Sequence, residues 1–484
     1  MADEVELKLE LTAEAADAIE ASGLLAGDPE TVQQKSVYFD TPDRDMAKGG
    51  LSLRIRQSGG KRVQTIKADG ASAAGLFVRS EWERLVESDT PILDDTTPIR
   101  VLLGDAADAV VPLFEVEVER RIWMVREGDA VIELVLDRGT VVAGERQGSI
   151  CEIELELKGG DPAGLFEFAR TIDANVPVRL GVRSKAERGY QLLAPAGSMV
   201  KADPINLVRD ITAAQAFRHI VQSCVRQFRR NEALLIASRN PGALHQARVA
   251  LRRLRSALSI FKPMIGDAGA DLGEGLRWLA SALGDARNLD VLLERTSPGP
   301  LQDRLVVARD AAYDHVGDAL SLPHARRLML DLAEWTAGDV WLNAAGSKVD
   351  GNQPARVFAA EALSRFLRKV KKDGRGLAEA DDQARHGVRK DAKKLRYAAE
   401  FFASLFKRKG ERRRHKRFVA ALEALQDQLG ALNDLATAPG VLKRLGVADD
   451  PEAVRLLARG QKKGLVKGAV DARKDLFDTK RFWR

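Results

Sequence analysis

The sequence predicts two domains of different class: an N-terminal α+β domain of eight strands, able to close into a barrel or tunnel, with helices, and a C-terminal all-α bundle of two repeated halves. Three observations carry this. Charged and apolar residues alternate at period two through the first half, the apolar period changes to 3.6 in the second, and the net charge changes sign between them. The chain has 484 residues, too many for one core. Residues 1–200 hold 23 Lys and Arg against 36 Asp and Glu, whereas residues 201–484 hold 53 against 34. A basic second half favours a polyanionic partner.

Residues 4–11 read EVELKLEL. In a strand this places Glu4, Glu6, Lys8 and Glu10 on one face and the apolar residues on the other. The pattern returns in EVEVE (115–119) and EIELELK (152–158), in LSLRIRQ with Arg54 and Arg56, and in RSEWER with Arg79, Glu81 and Glu83. Strands are expected near 4–11, 34–40, 51–57, 62–68, 77–86, 114–125, 130–137 and 150–158. Turn dipeptides fall at 49–50, 59–60, 69–70 and 128–129. Short helices are expected near 12–22, 97–108, 161–173 and 184–193. Eight such strands can close into a tunnel, which removes exposed edges.

The tunnel interior would then hold Glu4, Glu6, Glu81, Glu83, Glu117, Glu152 and Glu154 together with Lys8, Arg54, Arg56, Lys67, Arg79 and either Arg120 or Arg121. Enclosed charge is costly unless it is paired or bound to metal. A hard divalent cation takes carboxylate oxygens, and a phosphate chain takes Arg and Lys. A cavity lined with both suits a metal-bound oligophosphate. Asp40 and Asp43 flank a turn and are expected to cap it. Tyr38 and Trp82 read as packing residues, and Glu10 and Lys158 as rim charges.

The stretch APAGSMVKADP (194–204) has linker composition. It divides the chain into residues 1–195, a linker at 196–206, and 207–484. The helical part repeats itself at a spacing of 141 residues. HQARVALRRLRSALSIF starts at His245 and HGVRKDAKKLRYAAEFF at His386. Ala247, Leu251, Leu254, Leu258 and Phe261 map onto Val388, Ala392, Leu395, Ala399 and Phe402, one apolar helix face. Arg248, Arg252 and Arg255 map onto Arg389, Lys393 and Arg396, a cationic stripe beside it. Brought together, such helices form a cationic groove able to track a linear polyanion. KRKGERRRHKR (407–417) is a further basic run, either an aid to polyanion capture or a mobile solvated loop.

Glu4-x-Glu6-x-Lys8 is followed in order by YFDT (38–41), LRIR (53–56), TIK (65–67), RSEWE (79–83), LD (136–137), EIELELK (152–158) and SKAERGY (184–190). This ordered set, over roughly residues 1–195, resembles the CYTH, or triphosphate tunnel metalloenzyme, superfamily. The resemblance implies an eight-stranded antiparallel tunnel and hydrolysis of a terminal phosphoanhydride dependent on Mg²⁺ or Mn²⁺. By position it implies Glu4, Glu6, Glu152 and Glu154 as metal ligands, and Lys8, Arg54, Arg56, Lys67, Arg79, Arg120 and Lys185 as phosphate binders. Glu81 and Asp137 become metal-side or water-positioning acids, so that the implied catalytic set is Glu4, Glu6, Lys8, Glu81 and Asp137.

The segments HxxRxxxRRLR and HxxRKxxKKLRY resemble the CHAD, or conserved-histidine α-helical, domain over about residues 205–484. That resemblance implies binding of inorganic polyphosphate by His245, Arg248, Arg252, Arg255, His386, Arg389, Lys390, Lys393 and Arg396, and association with polyphosphate granules. The combined expectation is a metal-dependent triphosphatase or short-chain polyphosphatase joined to a polyphosphate-binding domain. The alternative is a non-catalytic polyphosphate-binding protein. Few aromatics accompany the basic runs, which argues against nucleic acid. No apolar run approaches membrane-spanning length, MADEVELK lacks a secretory h-region, and Cys151 and Cys224 suggest no disulfide framework. A cytoplasmic address is expected.

Overall fold

The computed structural model describes residues 4–68, 75–79, 81–195, 199–338, 341–342, 344, 346–456 and 460–484. They divide into two units, residues 1–198 with 322–337, and residues 199–321 with 338–484.

The first unit is an antiparallel sheet of ten strands: β1 (Glu4–Glu10), β2 (Glu30–Asp40), β3 (Leu51–Ser58), β4 (Lys61–Ala68), β5 (Leu76–Arg79), β6 (Glu81–Leu85), β7 (Val111–Glu127), β8 (Ala130–Ala143), β9 (Arg146–Gly159) and β10 (Arg179–Leu180). The paired path runs β10-β1-β9-β8-β7-β2-β3-β4-β6, and β5 lies against β1. The expected strand 77–86 is thus two short strands, one pairing β1 and the other β4, with residue 80 between them outside the described residues. Among the described ladders none joins β6 to β1, so the ring is not closed by pairing. The two-residue β10 gives no period-two signal. The turn expected at 69–70 also lies outside the described residues.

Helices α1 (Ala13–Ala21), α2 (Asp45–Lys48), α3 (Pro98–Leu103), α4 (Ala163–Asn175) and α5 (Lys185–Leu192) decorate the sheet. Asp40 accepts from the backbone amides of Thr41, Met46 and Ala47, the capping role its turn predicts. Period two separates two environments. Leu7 and Leu9 of β1, Leu134 and Leu136 of β8, and Ile153 and Leu155 of β9 are fully buried, on strands that α4 packs against. Phe39, Leu53, Ile55 and Ile66 form a second apolar layer with Met46 of α2 and Ile99 of α3. The opposite face carries the charges.

At one end of that charged face the lining turns apolar. Tyr38, Phe114, Val116, Val118, Val141 and Ile150 enclose Ala186 of α5, with Tyr190 packed beside them. Helix α5 starts in a capping box in which Ser184 and Glu187 exchange hydrogen bonds with each other's backbone. Gly189 is required by close approach: a Cβ there would lie 2.1 Å from the Phe114 ring. Strand register also corrects one expectation. Glu117 lies on the outer face, bonded at 2.9 Å to Lys35 and largely exposed, because Val116 and Val118 take the inward positions.

The second unit is all helical: α6 (Ala213–Ser238), α7 (Pro241–Ile265), α8 (Ala270–Ala282), α9 (Gly284–Leu293), α10 (Pro300–Ser321), α12 (Ala355–Asp373), α13 (Asp382–Phe401), α14 (Lys409–Arg444), α15 (Pro451–Leu456) and α16 (Gly460–Asp478). The intervening α11 (Pro323–Ala337) is counted with the first unit, where it packs on α4 and β10. Its apolar face, with Leu328, Met329 and Leu332 buried, and a buried arginine, Arg326, that meets a buried acid of α4, hold it there.

The ten residues of the repeated apolar face are all buried. Helix α6 packs on α7, α12 on α13, and α7 on α13. Phe261 stacks at 4.5 Å on Phe358, the counterpart of Phe217 141 residues on, and lies 5.8 Å from Phe402, its own counterpart. The contact of Phe217 with Phe261 recurs between Phe358 and Phe402, so the two repeats pack alike and against each other. The basic run at 407–417 opens the 36-residue α14 rather than forming a loop.

Candidate functional site

The charged face of the first unit lines a cavity of about 330 Å³, bounded by Glu6, Lys8, Tyr38, Arg54, Arg56, Lys67, Glu81, Glu83, Arg120, Glu154, Glu156 and Lys185. Register puts them there. Lys8 stands opposite Glu154, Glu6 opposite Glu156, and Asp137 opposite both Glu152 and Arg120. On the other wall Arg54 stands opposite Tyr38 and Thr65, and Lys67 opposite Ser52 and Glu81.

Asp137, Glu152 and Glu154 are buried and each offers an oxygen within 4.8 Å of the others. The Lys185 ammonium sits among them, 2.7 Å from Asp137, 2.5 Å from Glu152 and 2.9 Å from Glu154. Arg120 grips Asp137 through two nitrogens, at 2.8 and 2.6 Å, and reaches Glu154 at 3.0 Å. Lys8 bonds Glu154 and lies 2.8 Å from Glu6. Burial works against the charge on Lys185, yet Asp137 and Glu152 hold its pKa well above the ordinary lysine value. Burial likewise works against ionised Glu154, but Lys185, Lys8 and Arg120 hold it well below the usual carboxylate range. This wall is a self-neutralised network.

The facing wall is different. Arg54 reaches only the Tyr38 hydroxyl, at 3.5 Å, and its buried Nε has no hydrogen-bond partner among the described residues. Arg56 meets Glu83 at 3.3 Å, and burial followed by Arg54 pushes its pKa below the ordinary guanidinium value. Lys67 meets Glu81 at 3.2 Å. Three cationic groups crowded on one wall make a site for an anion.

Most of the expected tunnel residues come together. Glu6, Lys8, Arg54, Arg56, Lys67, Glu81, Arg120 and Lys185 line the cavity, and Asp137, Glu152 and Glu154 form the acidic cluster. Lys8 and Lys185 line the cavity and are also engaged by carboxylates. Glu4 and Arg79 are paired by backbone on β1 and β5, and their side chains lie outside the described residues. Arg120 points in, whereas Arg121 points out to Glu20 and Glu119. Sequence reading missed Arg188, which bonds Glu10 at 2.8 Å and Glu152 at 3.3 Å. Its signal was present: three residues after Lys185, it shares that helix face. Glu10, read as a rim charge, belongs to this network.

Three hard oxygen donors fit a hard divalent ion. The fit rests on that donor chemistry alone, since the Lys185 ammonium lies among the same three carboxylates.

The second unit holds a larger cavity of about 1030 Å³ between α7 and α13, lined by Arg252, Arg255, Lys262, Arg277, Lys369, His386, Arg389, Lys390, Lys393 and Lys394. A smaller one of about 270 Å³ adjoins it, lined by Arg248, Arg252, Arg255 and Arg277. Burial followed by Arg389 and Arg252 pushes Lys393 down to about 7, and burial followed by Arg252 and Arg287 brings Arg248 to about 10. Of the expected set, Arg396 turns away, 3.4 Å from Glu400 and 3.7 Å from Glu423. His245 lines neither cavity; it lies near Arg287, and burial followed by that charge lowers it to about 4. His386 Nδ1 is 2.6 Å from the Asn433 amide oxygen. Among the described residues no helix is long and apolar enough to cross a membrane.

A sequence profile of the CYTH domain matches residues 2–190, and one of the CHAD domain matches residues 219–443. Over 192 residues, 40% of this chain, the sequence is 31% identical to an inorganic triphosphatase of Haemophilus influenzae, and the chain spans about half (54%) of that relative's length. It is 28% identical over 415 residues to an uncharacterised protein of Mycobacterium tuberculosis, covering 76% of each. Among solved structures, the CHAD domain of the plant Ricinus communis aligns at 28% identity with a TM-score of 0.48, over 58% of this chain and 98% of that one. A putative adenylyl cyclase of Hippeastrum, described as having a dominant triphosphatase activity, aligns at 20% identity and a TM-score of 0.33, over 39% of this chain and 95% of that one.

Proposed function

We propose that this chain, a CYTH domain followed by a CHAD domain, hydrolyses inorganic triphosphate or short polyphosphate in the cavity of its first unit and binds inorganic polyphosphate with its second. One observation carries the catalytic reading. An acidic cluster and a wall carrying Arg54, Arg56 and Lys67 face each other across one cavity of about 330 Å³. The relative named an inorganic triphosphatase, 31% identical over this stretch, supports the same reading.

Asp137, Glu152 and Glu154, with Glu6 on the cavity wall and with Glu4 by its place in the ExExK motif, would hold the divalent ion. Bound there, it would supply charge neutralisation and polarise water. Arg54, Arg56 and Lys67 bind and orient the phosphate chain, Arg with paired donors. Arg120, fixed by Asp137, presents positive charge between the acids and the substrate. Glu81, held by Lys67, positions the attacking water and accepts its proton. Attack forms one P–O bond and breaks the terminal P–O–P bridge, releasing orthophosphate. In the second unit, the cations of α7 and α13 hold a longer chain and raise its concentration near the enzyme.

Phosphate release from tripolyphosphate by the whole chain, with Mg²⁺ or Mn²⁺, tests the reading. Wild type releases phosphate, and Arg54→Ala and Glu154→Gln lower the rate by about 100-fold or more. Metal-dependent tripolyphosphate binding with no release by wild type would favour the alternative of a polyphosphate-binding protein with an idle tunnel. The position of Lys185 inside the acidic cluster is what lends that alternative weight.

A further inference from the structure

Helix α11 lies within the stretch matched by the CHAD profile yet is counted with the first unit. Its Arg326 is buried, and Nε donates to Asp173 Oδ1 of α4 at 2.6 Å; Asp173 is buried too. The same carboxylate oxygen accepts the backbone N–H of Val178 at 3.3 Å. Val178 leads straight into β10, where Arg179 and Leu180 pair with Glu10 and Leu9 of β1. Gly181 then donates to the Lys8 carbonyl at 2.8 Å, and three residues later Ser184 caps α5. The first residue of α5 is Lys185, the ammonium centred in the acidic cluster, and Arg188 follows one turn on.

We propose that Arg326 is a positioning residue for the tunnel site: through Asp173 it fixes the segment 176–184, and thereby the placement of Lys185 and Arg188 against the acids. The inference rests on the tunnel being the reacting site. A buried carboxylate needs a partner, and Arg326 is the buried donor beside Asp173; Arg327 is half exposed and 3.7 Å away. Removing the guanidinium leaves the charge to find water, and the segment it anchors is the one that opens to let water in. A second pair, Arg170 with Asp331 at 2.9 Å and with Glu334, also joins α4 to α11 and is partly exposed. Among the described residues no hydrogen bond links it to Val178 or β10, so it provides a control of similar chemistry.

The test uses the full chain carrying Arg326→Met, Arg326→Lys or Arg170→Met. In Arg326→Met, hydrogen exchange of the amides from 176 to 192 speeds up by roughly tenfold or more, while β2–β4 and the helices of the second unit keep their protection. Arg326→Lys restores part of it, and Arg170→Met leaves 176–192 close to wild type. Tripolyphosphate turnover falls in Arg326→Met by about tenfold to a hundredfold in kcat, and most of that loss disappears when the same change is made in a Lys185→Ala background. Unchanged exchange at 176–192, an even increase across the whole sheet, or an equal loss of rate in both backgrounds would overturn the proposal. Should wild type release no phosphate, the hydrolase reading fails, and the exchange pattern still decides whether Arg326 fixes this segment.

Discussion

Arg120 and Arg121 are chain neighbours with opposite surroundings, one clamped to Asp137 inside the cavity and the other bonded to Glu20 and Glu119 outside. A shift of one residue in register exchanges them, so period two located the face but could not choose between the pair. The same parity put Glu117 outside, because EVEVE carries no mark of which face is enclosed. Arg120→Met leaves Asp137 buried beside a single cation, and we expect the sheet to lose about 3–5 kcal/mol. Arg121→Met, at a partly exposed pair, should lose about 0–1 kcal/mol. Urea titration of the full chain, read by protection of the β7–β9 amides, separates the two.

Lys393 gives a pH prediction. Its folded value of about 7 lies below the ordinary 10.5, through burial and then through Arg389, Arg252 and Arg396, with Asp434 opposing. Between those values the unfolded chain binds more protons, so stability rises with pH across that window. Melting of the second unit at low salt should rise by roughly 2–4 °C from pH 7 to pH 9, and Lys393→Met should flatten that rise. Polyphosphate binding should run the other way, tightening from pH 8 to pH 6 as the ammonium forms, which titration calorimetry would record as proton uptake.

Among elements, α5 depends most on one small residue. Gly189 lets the helix lie against Phe114, and any side chain there meets the ring. Gly189→Ala should therefore lift α5, withdraw Lys185 and lower tripolyphosphate turnover by about tenfold or more, while polyphosphate binding by the second unit stays at wild-type affinity. The helices of the second unit were the most legible elements, because their repeated apolar faces are long and regular, and the Phe217, Phe261, Phe358 and Phe402 contacts follow from that repeat. Truncating Phe261 to Ala should cost about 3–5 kcal/mol in a denaturation experiment. What escaped the sequence were elements defined by partners, not by period. Four-residue α2 and two-residue β10 are too short to show one, and α11 has an ordinary amphipathic pattern that names no destination.

For the molecule as a whole, the opposed charges of its halves were legible from counting, and they predict opposite behaviour in salt. The acid wall of the tunnel is enclosed and paired, so ionic strength should change its stability little. The groove between α7 and α13 presents many cations to a polymer, and its polyphosphate affinity should fall by roughly tenfold or more between 50 and 200 mM salt, by analogy with nucleic-acid backbones. Filter binding across that range would show it.

The route of the chain has its own consequence. The first unit recruits α11 from residues 322–337, 124 positions beyond the point where its main segment ends. At a synthesis rate of about 5–20 residues per second, a ribosome needs roughly 6–25 seconds to reach the start of that helix after the main segment is complete. Throughout that interval the apolar side of α4 and the acid Asp173 stand uncovered on a nascent protein, which makes this patch the natural landing point for a chaperone during translation.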